Sequence, residues 1–464
     1  MPVPASAPKP KIAFVHPDLG IGGAERLVVD AAVGLQSRGH SIQVFTSHHD
    51  PSHCFEESRD GTLNVSVLGD WLPRDIAGKG HILFAILRGV VLALSLLISA
   101  QRFDVIIVDQ LSASIPLLRF TNAKILFYCH FPDKLLTQRE SLLKKLYRMP
   151  VDLLEEVTTR AADDIVVNSK FTAQIFERSF PSIKKLPEVL YPGIHVESYA
   201  QILDLTDPSV AFLVSSRQTI VSINRFERKK NLRLAIDAFS LLLKKNPSSA
   251  GRTRLVVAGG YDPRVVENKE HLQELDAIAK GLGLHTHIAL NNNSSSAESA
   301  TTVPPNTQVL FLPSFNIAQR TFLLMTAALL VYTPSNEHFG IVPVEAMYAS
   351  LPVVAVNTGG PTETVVDAQT GYLRDAQPEQ FAEAMAAVLA DASKAKEQLG
   401  RAGKKRVEEL FTSVAFIDKL EAIVERTLRS RNADAYEAWW RLCATVGGTA
   451  AAILLAVLAL MLRA

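Results

Sequence analysis

The stretch that most constrains the fold is residues 331–350, where an apolar strand ends and a helix begins. Gly340 lets the backbone approach a ligand, and Pro343 suits a first helical turn. A strand end, a glycine and a helix N-terminus form an anion site together, because unsatisfied backbone N–H groups point outward there. Glu337 and Glu345 flank this turn, eight residues apart. Two such carboxylates can bracket a diphosphate ligand, although a glutamate pair at this spacing also arises by chance.

Apolar runs of strand length recur along the whole chain and predict an α/β fold. The predicted strands are residues 11–16, 42–46, 64–68, 105–108, 125–129, 165–168, 219–223, 255–260, 309–313, 329–332 and 352–356. With 464 residues, 48% of them hydrophobic, the chain can bury two ordinary domain cores. We expect a flexible lead at 1–10, an N-terminal domain at 11–200 and a C-terminal domain at 215–427. A segment rich in Asn and Ser at 291–302 is predicted to be a surface insertion.

Overall charge and cysteine content exclude several classes of protein. The formal net charge of +1 gives no nucleic-acid signal. Cys54, Cys129 and Cys443 lie far apart without a paired spacing, which argues against a disulfide framework or a zinc site. We therefore expect a reducing, cytosolic setting for the folded domains and no nucleic-acid partner.

Two candidate functional positions lie in the N-terminal half. The loop after the first predicted strand carries Gly22 and Gly23, but Glu25 follows where a dinucleotide-binding fingerprint would need a third glycine. A tight turn explains those glycines equally well. His130 directly follows the strand at 125–129, which is a common position for functional residues in α/β sheets. A structural histidine is the alternative.

The C-terminal half places cations and glycines after its predicted strands. Arg225 and Lys230 follow the strand at 219–223. Arginine can bind phosphate oxygens with two parallel hydrogen bonds and lysine acts as a point charge, so this pair suits a diphosphate. A solvated basic turn is the alternative. Gly259 ends another strand, and Gly360 follows the strand at 352–356, where its backbone can reach a sugar hydroxyl.

Two long apolar segments point to a membrane. Residues 81–100 are apolar except for a few positions, and we prefer a helix that dips into one leaflet or packs in the domain over a full span. Residues 442–462 carry no charge over 21 residues, which predicts a transmembrane helix rather than a buried core helix. A basic stretch interleaved with leucines is either a solvated helix face or a surface for anionic headgroups or a lipid diphosphate; its cations are Lys134, Arg139, Lys144, Lys145 and Arg148.

The segment Glu337-His338-Phe339-Gly340-Ile341-Val342-Pro343-Val344-Glu345 closely resembles the paired-glutamate motif of retaining glycosyltransferases with the GT-B fold. The resemblance implies two Rossmann-like domains facing a cleft, with a nucleotide sugar bound mainly to the second. It also implies a C-terminal helix, at 428–440, that returns to brace the first domain. The catalytic residues it implies are Glu337, His130, Arg225 and Lys230. The donor-binding residues it implies are Gly22, Gly23, Gly259, His338, Phe339, Gly340, Ile341, Glu345 and Gly360.

Each implied residue has a role in the reaction. The resemblance implies that Arg225 and Lys230 bind the leaving diphosphate, that Glu345 binds the ribose and that Glu337 binds the transferred sugar. His130 contacts the donor sugar or its developing positive charge. Cations and backbone N–H groups supply this stabilisation, so the chemistry requires no metal and no other cofactor.

Within the family, these motifs look most like the mannosyltransferases of dolichol-linked oligosaccharide assembly. That resemblance implies GDP-mannose as donor and a dolichyl-diphosphate oligosaccharide with one mannose as acceptor, extended by α-1,3 and α-1,6 mannoses. It also implies the endoplasmic reticulum membrane, catalytic domains in the cytosol, and other mannosyltransferases of the pathway as partners. The alternatives are a membrane glycosyltransferase with another donor or lipid, and a non-catalytic scaffold.

Overall fold

The computed structural model describes residues 9–76, 80–136, 142–199, 205, 207–249, 251–290, 303–430, 436–437, 439–440 and 443–444. Two compact units divide the chain: Met1–Tyr191 with Phe416–Ala464, and Pro192–Ala415. Three predicted segments lie outside the described residues, apart from a few positions: the lead at 1–10, the insertion at 291–302 and the transmembrane helix at 442–462.

A parallel sheet forms the centre of the first unit. Its strands are β1 Lys11–His16, β2 Ser41–Thr46, β3 Val65–Val67, β4 Val105–Asp109, β5 Lys124–Cys129, β6 Asp164–Val167 and β7 Glu188–Val189. The strands lie in the order β3-β2-β1-β4-β5-β6-β7, and every neighbouring pair is parallel. Its α-helices before the second unit are α1 Gly23–Ser37, α2 His81–Ile98, α3 Ile115–Leu118, α4 Asp133–Leu136, α5 Leu142–Arg160 and α6 Lys170–Ser179.

The second unit repeats the parallel design. Its strands are β8 Gln218–Ile223, β9 Thr253–Gly259, β10 Thr286–Ile288, β11 Val309–Pro313, β12 Leu329–Tyr332, β13 Val353–Val356 and β14 Tyr372–Arg374, in the order β10-β11-β9-β8-β12-β13-β14. Its helices are α7 Pro208–Ala211, α8 Leu232–Lys245, α9 Val266–Gly281, α10 Ile317–Thr326, α11 Ile341–Tyr348, α12 Pro361–Thr364, α13 Pro378–Ala390, α14 Ala392–Ala395 and α15 Arg401–Leu410. Helix α16 Ser413–Arg429 belongs to the first unit from Phe416 onward, and described helical residues follow it at 436–437, 439–440 and 443–444.

Both faces of the first sheet are covered, which explains its continuous apolar strands. In β1, Ile12 and Phe14 pack in one core cluster with residues of α1 and α16. Ala13 and Val15 pack in another cluster with residues of α2. A strand buried on both faces must be apolar at every position, as parallel strands between helix layers are.

Helix α2 packs only one of its faces. Leu92, Ala93 and Leu96 are buried, and the buried Arg88 donates to the Leu72 carbonyl oxygen at 2.9 Å. The opposite stripe is exposed and consists of Leu83, Leu87, Leu94 and Ile98. Among the described residues, α2 is the one helix long and apolar enough to cross a membrane, with 18 residues and a mean hydropathy of 2.3.

The boundary between the two units lies earlier in the chain than the sequence predicts. The second unit begins at Pro192, before the expected boundary, because the chain there pairs with residues late in the same unit. The Ile194 carbonyl oxygen accepts a hydrogen bond from the Ser413 N–H at 2.9 Å, and the Ile194 N–H donates one to the Phe411 carbonyl oxygen at 2.8 Å. Helix α16 returns to the first unit and begins fifteen residues before the predicted 428–440 segment. Its apolar face, including Leu420 and Ile423, packs on the first sheet. Within the predicted segment, Trp439 also packs on the first unit, where its Nε1 donates a hydrogen bond to the Pro116 carbonyl oxygen at 3.0 Å.

Candidate active site

In the second unit, Lys230 and Glu337 form a close ion pair at one edge of the sheet. Lys230 lies in the loop after β8 and Glu337 in the loop after β12, and these two strands are neighbours. The Lys230 Nζ lies 2.5 Å from the Glu337 Oε1. The Thr333 hydroxyl donates to the Lys230 carbonyl oxygen at 2.8 Å and fixes the lysine backbone. The pair therefore places both charges where the carboxyl ends of parallel strands meet, the usual ligand edge of such sheets.

Helix α11 begins beside this ion pair. Gly340 is its N-cap, with a φ of 79° that an L side chain rarely adopts. The first N–H groups of the helix have no intrahelical acceptor. Together with Lys230 they provide an anion site next to Glu337, which is what a diphosphate leaving group needs.

The loop after β13 supports the motif through direct backbone contact. The Gly360 N–H donates to the Glu337 carbonyl oxygen at 2.7 Å. A Cβ on Gly360 would lie 2.1 Å from the Phe339 carbonyl oxygen, and a Cβ on Gly359 would lie 2.6 Å from that of Glu337. Gly360 was predicted to contact the donor through its backbone. Its N–H is instead engaged within the protein, so this glycine holds the glutamate motif in place.

Glu345 is buried at the middle of α11 and pairs with a cation that sequence analysis did not identify. Arg320 of α10 contacts the Glu345 carboxylate, and its guanidinium also donates to the Tyr199 hydroxyl at 2.6 Å. Burial lowers the pKa of Arg320, but the Glu345 carboxylate outweighs that effect and raises it. Arg320 therefore remains charged and fixes the carboxylate expected to bind ribose.

Arg225 and Gly259 occupy neighbouring strand ends. The Arg225 side chain is 63% exposed, with its Nη1 3.1 Å from the Glu227 carboxylate. Gly259 has a φ of 158°, and a Cβ there would lie 1.7 Å from the Asn224 carbonyl oxygen. Gly259 thus permits the backbone contact that positions the Arg225 loop, and Arg225 extends into solvent where a ligand can reach it.

The side chains within the glutamate motif are not equally accessible. Phe339 is buried and its ring packs edge-on against Phe411 with centroids 5.7 Å apart. His338 and Ile341 are half-buried. The prediction that Phe339 binds the donor therefore cannot involve its ring, because the core of the unit already covers it.

In the first unit, four residues form a connected chain of charges. His16 ends β1, Asp109 ends β4 and His130 follows β5, and these three strands are adjacent. The His16 Nδ1 lies 2.7 Å from the Asp109 Oδ2, and the His130 Nε2 lies 2.8 Å from the Asp109 Oδ1. The second contact is close but not aligned as a hydrogen bond, since the His130 Nε2 has no hydrogen-bond partner among the described residues. Glu25 lies on the far side of His16, with its Oε1 3.9 Å from the His16 Nε2.

Burial and partner charges compete at these groups. Burial lowers the pKa of His16, but the hydrogen bond to Asp109 and the charges of Asp109 and Glu25 outweigh it and raise that pKa to about 9. Burial raises the pKa of Asp109, but the two histidines outweigh it and hold the pKa below its ordinary value. His16 is therefore an imidazolium, and Asp109 a carboxylate, at neutral pH.

The glycine loop lies beside this chain of charges. Gly22 is the N-cap of α1, and Glu25 stands in the first turn of that helix. A Cβ on Gly22 would meet the Glu25 carboxylate, whereas a Cβ on Gly23 would meet nothing within 4 Å. Of the two glycines, Gly22 is the one whose missing side chain leaves room for a neighbouring charged group.

Comparison with known proteins identifies the family. The model for "Glycosyl transferases group 1" matches residues 208–406, and that for "Glycosyltransferase Family 4" matches residues 21–198. The alpha-1,3/1,6-mannosyltransferase ALG2 of Rhizomucor pusillus is 56% identical over 419 residues, covering 89% of this chain and 91% of the relative. The ALG2 mannosyltransferase of Homo sapiens is 46% identical over 435 residues, covering 91% and 97%. The chain belongs to the ALG2 mannosyltransferase family.

Solved structures agree on the fold of this glycosyltransferase. The sucrose-phosphate synthase of Thermosynechococcus elongatus has a TM-score of 0.68 at 19% identity, covering 91% of this chain and 100% of that one. Anabaena HepE in complex with UDP and glucose has a TM-score of 0.62 at 17% identity, covering 90% and 99%. The likeness confirms the predicted α/β fold class with two Rossmann-like, parallel-sheet domains.

Two of the five basic residues proposed from sequence as a headgroup surface in this ALG2-family chain make contacts within the first unit. Arg148 is buried, with its Nη2 2.7 Å from the Asp133 carboxylate. The Lys134 Nζ lies 4.6 Å from the centre of the Phe180 ring. Both cations are engaged within the first unit, whereas Arg139 and the side chains of Lys144 and Lys145 lie outside the described residues, so the basic surface stays a prediction for those three.

Sequence analysis missed several charged residues of these sites, and the reasons differ. Asp109 and His16 each end an apolar strand, which is the signal that identified His130, so the same rule could have found them. Arg320 lies 25 residues from Glu345 on another helix. No local pattern connects these two, and only the packing of α10 against the sheet brings them together. Among the described residues, no group of three potential metal ligands was found.

Proposed function

We propose that this chain transfers mannose from GDP-mannose to a dolichyl-diphosphate oligosaccharide carrying one mannose, adding an α-1,3 and an α-1,6 mannose. The observation that carries the proposal is the Lys230–Glu337 pair beside the N-terminus of α11, in a chain up to 56% identical to relatives named alpha-1,3/1,6-mannosyltransferase. An anion site next to a carboxylate suits a sugar diphosphate, because it addresses both the leaving group and the transferred sugar.

The leaving diphosphate is assigned to the cations of the second unit. Lys230, the exposed Arg225 and the N–H groups that follow Gly340 would stabilise the charge that develops as the sugar departs. Electrostatic stabilisation of this kind is worth about 10²- to 10³-fold in kcat for one donor group. The half-exposed Glu337 would accept hydrogen bonds from mannose hydroxyls. Glu345, which Arg320 holds in place, would accept hydrogen bonds from ribose hydroxyls.

The first unit is assigned a part in the same reaction. Of the three residues at adjacent strand ends, His130 is the one with substantial exposure, at 20% of its side chain against 1% for both Asp109 and His16. We assign His130 to the donor sugar or to the positive charge that develops on it, and the main chain at Gly22 and Gly23 to the donor phosphates. Replacing His130 with alanine should lower kcat more than it changes the KM for GDP-mannose.

The reaction is proposed to need no metal, because protein cations supply the charge at the diphosphate. Transfer should therefore persist in excess EDTA after extensive dialysis. Loss of activity that Mg²⁺ or Mn²⁺ restores would overturn this part of the proposal.

We propose that the enzyme works at the cytosolic face of the endoplasmic reticulum membrane, near other mannosyltransferases of the pathway. The exposed stripe of α2 supports a leaflet-dipping helix, since an apolar face of this length favours the headgroup boundary. Exposed Tyr436 and Trp440 precede the uncharged segment at 442–462, and aromatic rings favour that interface too. Basic residues before that segment support a cytosolic catalytic body.

Donor binding gives a direct test. A ligand that binds only the folded protein raises the unfolding temperature, and at a given concentration a tighter ligand raises it more. GDP-mannose and GDP should raise it, and UDP-glucose at the same concentration should not. A rise with UDP-sugars alone would move the chain to another donor class. Binding of no nucleotide sugar would favour the scaffold alternative.

A further inference from the structure

We propose that Asp109 and His16 are positioning residues that orient the His130 ring for sugar transfer. The inference deepens the proposed function, since it rests on His130 contacting the donor sugar. It assigns a role to two buried charged groups that the transfer chemistry does not otherwise use.

The topology of the sheet brings the three residues together. Strands β1, β4 and β5 are neighbours, and each contributes one residue at its carboxyl end. The His130 backbone is held separately, because the Asn168 side chain after β6 donates to the His130 carbonyl oxygen at 3.0 Å. The ring and the backbone of His130 are thus fixed by different strands, as a residue requires when it must meet a substrate in one orientation.

Both oxygens of Asp109 are committed to histidines. The Oδ2 faces the His16 Nδ1 at 2.7 Å, and the Oδ1 faces the His130 Nε2 at 2.8 Å. With Nε2 held at the carboxylate, the Nδ1 edge of His130 is left for a substrate. Catalytic hydrogen bonds are often poorly aligned without ligand and tighten in the complex, which fits the unaligned Asp109–His130 contact.

Stability alone does not account for this cluster. The side chains of His16 and Asp109 are each 1% exposed, and burying them costs free energy that their attraction outweighs only while both charges are present. Replacing a buried ion pair by apolar residues of similar volume is often neutral or stabilising. Retaining a buried charged pair is explained if the pair orients the His130 ring, since His130 alone of the three reaches the surface.

Glu25 extends the chain of contacts to the glycine loop. Its carboxylate lies 3.9 Å from the His16 Nε2, and Gly22 leaves the space that the carboxylate occupies. His16 therefore links Asp109 to the loop at Gly22 and Gly23. A displacement of that loop would change the electrostatic environment of Asp109, because the charged His16 side chain lies between them.

The charged and titratable groups around Asp109 are few. They are His16 and Glu25 on the glycine-loop side, His130 after β5, and Tyr128 and Cys129 within β5. Burial raises the pKa of both Tyr128 and Cys129, so neither is charged at neutral pH. The orientation of His130 thus depends on the carboxylate and on the imidazolium that balances it.

A double-mutant cycle tests the proposal in the full chain with GDP-mannose and the lipid acceptor. Asp109→Asn keeps the shape of the side chain and should lower kcat on the order of 100-fold, since misplacing a reacting group has about that effect. In a His130→Ala background, the same substitution should change kcat less than about two-fold, because no ring remains to be positioned. Equal losses in both backgrounds would overturn the proposal.

The matched control is Asp163→Asn. Asp163 is also buried in the first unit, but it pairs with Arg119 at 2.8 Å and accepts from the Ile125 N–H, at the other end of β5. This variant should lower the unfolding temperature without lowering kcat. If Asp163→Asn lowers kcat as much as Asp109→Asn does, the loss reflects stability and the proposal fails.

Histidine ¹⁵N NMR provides a readout that does not depend on donor or acceptor. Asp109→Asn should shift the side-chain Nε2 resonance of His130, identified by its loss in His130→Ala, and Asp163→Asn should not. An unchanged His130 resonance would overturn the positioning role. Absence of transfer by the unmodified chain, with the shift present, would instead contradict the proposed transferase function.

Discussion

Lys230 and Glu337 are the two side chains on which the proposed chemistry depends most. Lys230→Ala and Glu337→Gln should each lower kcat by about 10²- to 10³-fold, because each removes a charged contact to the donor in the transition state. Initial rates with saturating GDP-mannose provide the measurement, with circular dichroism to check the fold.

Lys229 is the matched control for Lys230. It is adjacent in sequence, 68% exposed, and pairs with Glu227 at 3.1 Å. Lys229→Ala should leave kcat within about two-fold, as exposed ion pairs contribute little. Near-normal turnover in Lys230→Ala, or an equal loss in Lys229→Ala, would contradict the assignment.

His16 makes the stability of the first unit depend on pH. Its pKa rises from 6.5 to about 9 on folding, so its contribution is fully present below pH 6.5 and is lost as the pH rises through 9. A shift of this size corresponds to about 3 kcal/mol. The free energy of unfolding should therefore fall more steeply from pH 6.5 to 9.5 in the unmodified chain than in His16→Gln. Parallel curves from denaturant titrations would disprove it.

The sequence predicted individual site residues where a strand end or a family motif marked them. Glu337, Lys230 and His130 are positioned as expected at the carboxyl ends of strands, although their catalytic roles stay predictions. The Arg320–Glu345 contact could not be predicted, since it depends on tertiary packing. The ring of Phe339 turned inward for the same reason, because Phe411 lies 72 positions further along the chain.

The loop after β13 is the element that holds the glutamate motif. Gly360→Ala would force a Cβ to within 2.1 Å of the Phe339 carbonyl oxygen. Backbone there must shift, which should lower the free energy of unfolding by about 1–3 kcal/mol and raise the KM for GDP-mannose. Thermal unfolding and initial rates measure both effects.

Gly281→Ala, at the end of α9, gives the comparison for that loop. A Cβ there meets nothing within 4 Å, so the change should be neutral or stabilise by about 0.5–1 kcal/mol. If Gly360→Ala lowers the free energy of unfolding and raises the KM for GDP-mannose no more than Gly281→Ala does, the loop does not support the motif.

Helix α2 is the element proposed to contact lipid. Leu87→Glu on its exposed stripe should raise the KM for acceptor in vesicles by about ten-fold, because a buried leucine contributes roughly 1.5–3 kcal/mol. The KM for a water-soluble, short-chain acceptor should not change. Leu186→Glu makes the same substitution at another exposed leucine of the first unit and should affect neither. Equal effects on both acceptors would contradict leaflet contact by α2.

Elements were predictable where burial imposed a clear pattern. All eleven predicted strands are present, while β7, β10 and β14 were missed. Those three lie at sheet edges, are two or three residues long and are only half-buried. A short edge strand needs no apolar run, so hydrophobic patterning does not reveal it.

At the scale of the whole molecule, the two predicted Rossmann-like units are present, each around its own parallel sheet. The boundary between the units lies earlier than predicted because the first residues of the second unit pair with residues near 411–413. Local sequence patterns cannot predict a contact between positions so far apart in the chain. The return of the chain to the first unit was expected from the family resemblance alone; α16 makes most of it, and Trp439 within the predicted 428–440 segment also packs on the first unit.

The central claim is that one polypeptide adds two mannoses to a lipid-linked acceptor. The purified, detergent-solubilised chain should be incubated with the singly mannosylated dolichyl-diphosphate acceptor and either GDP-mannose or a UDP-sugar, and product masses read over time. Two added hexoses are expected from GDP-mannose and none from the UDP-sugar. A product that stops at one hexose, transfer from the UDP-sugar, or no transfer from either donor would contradict it.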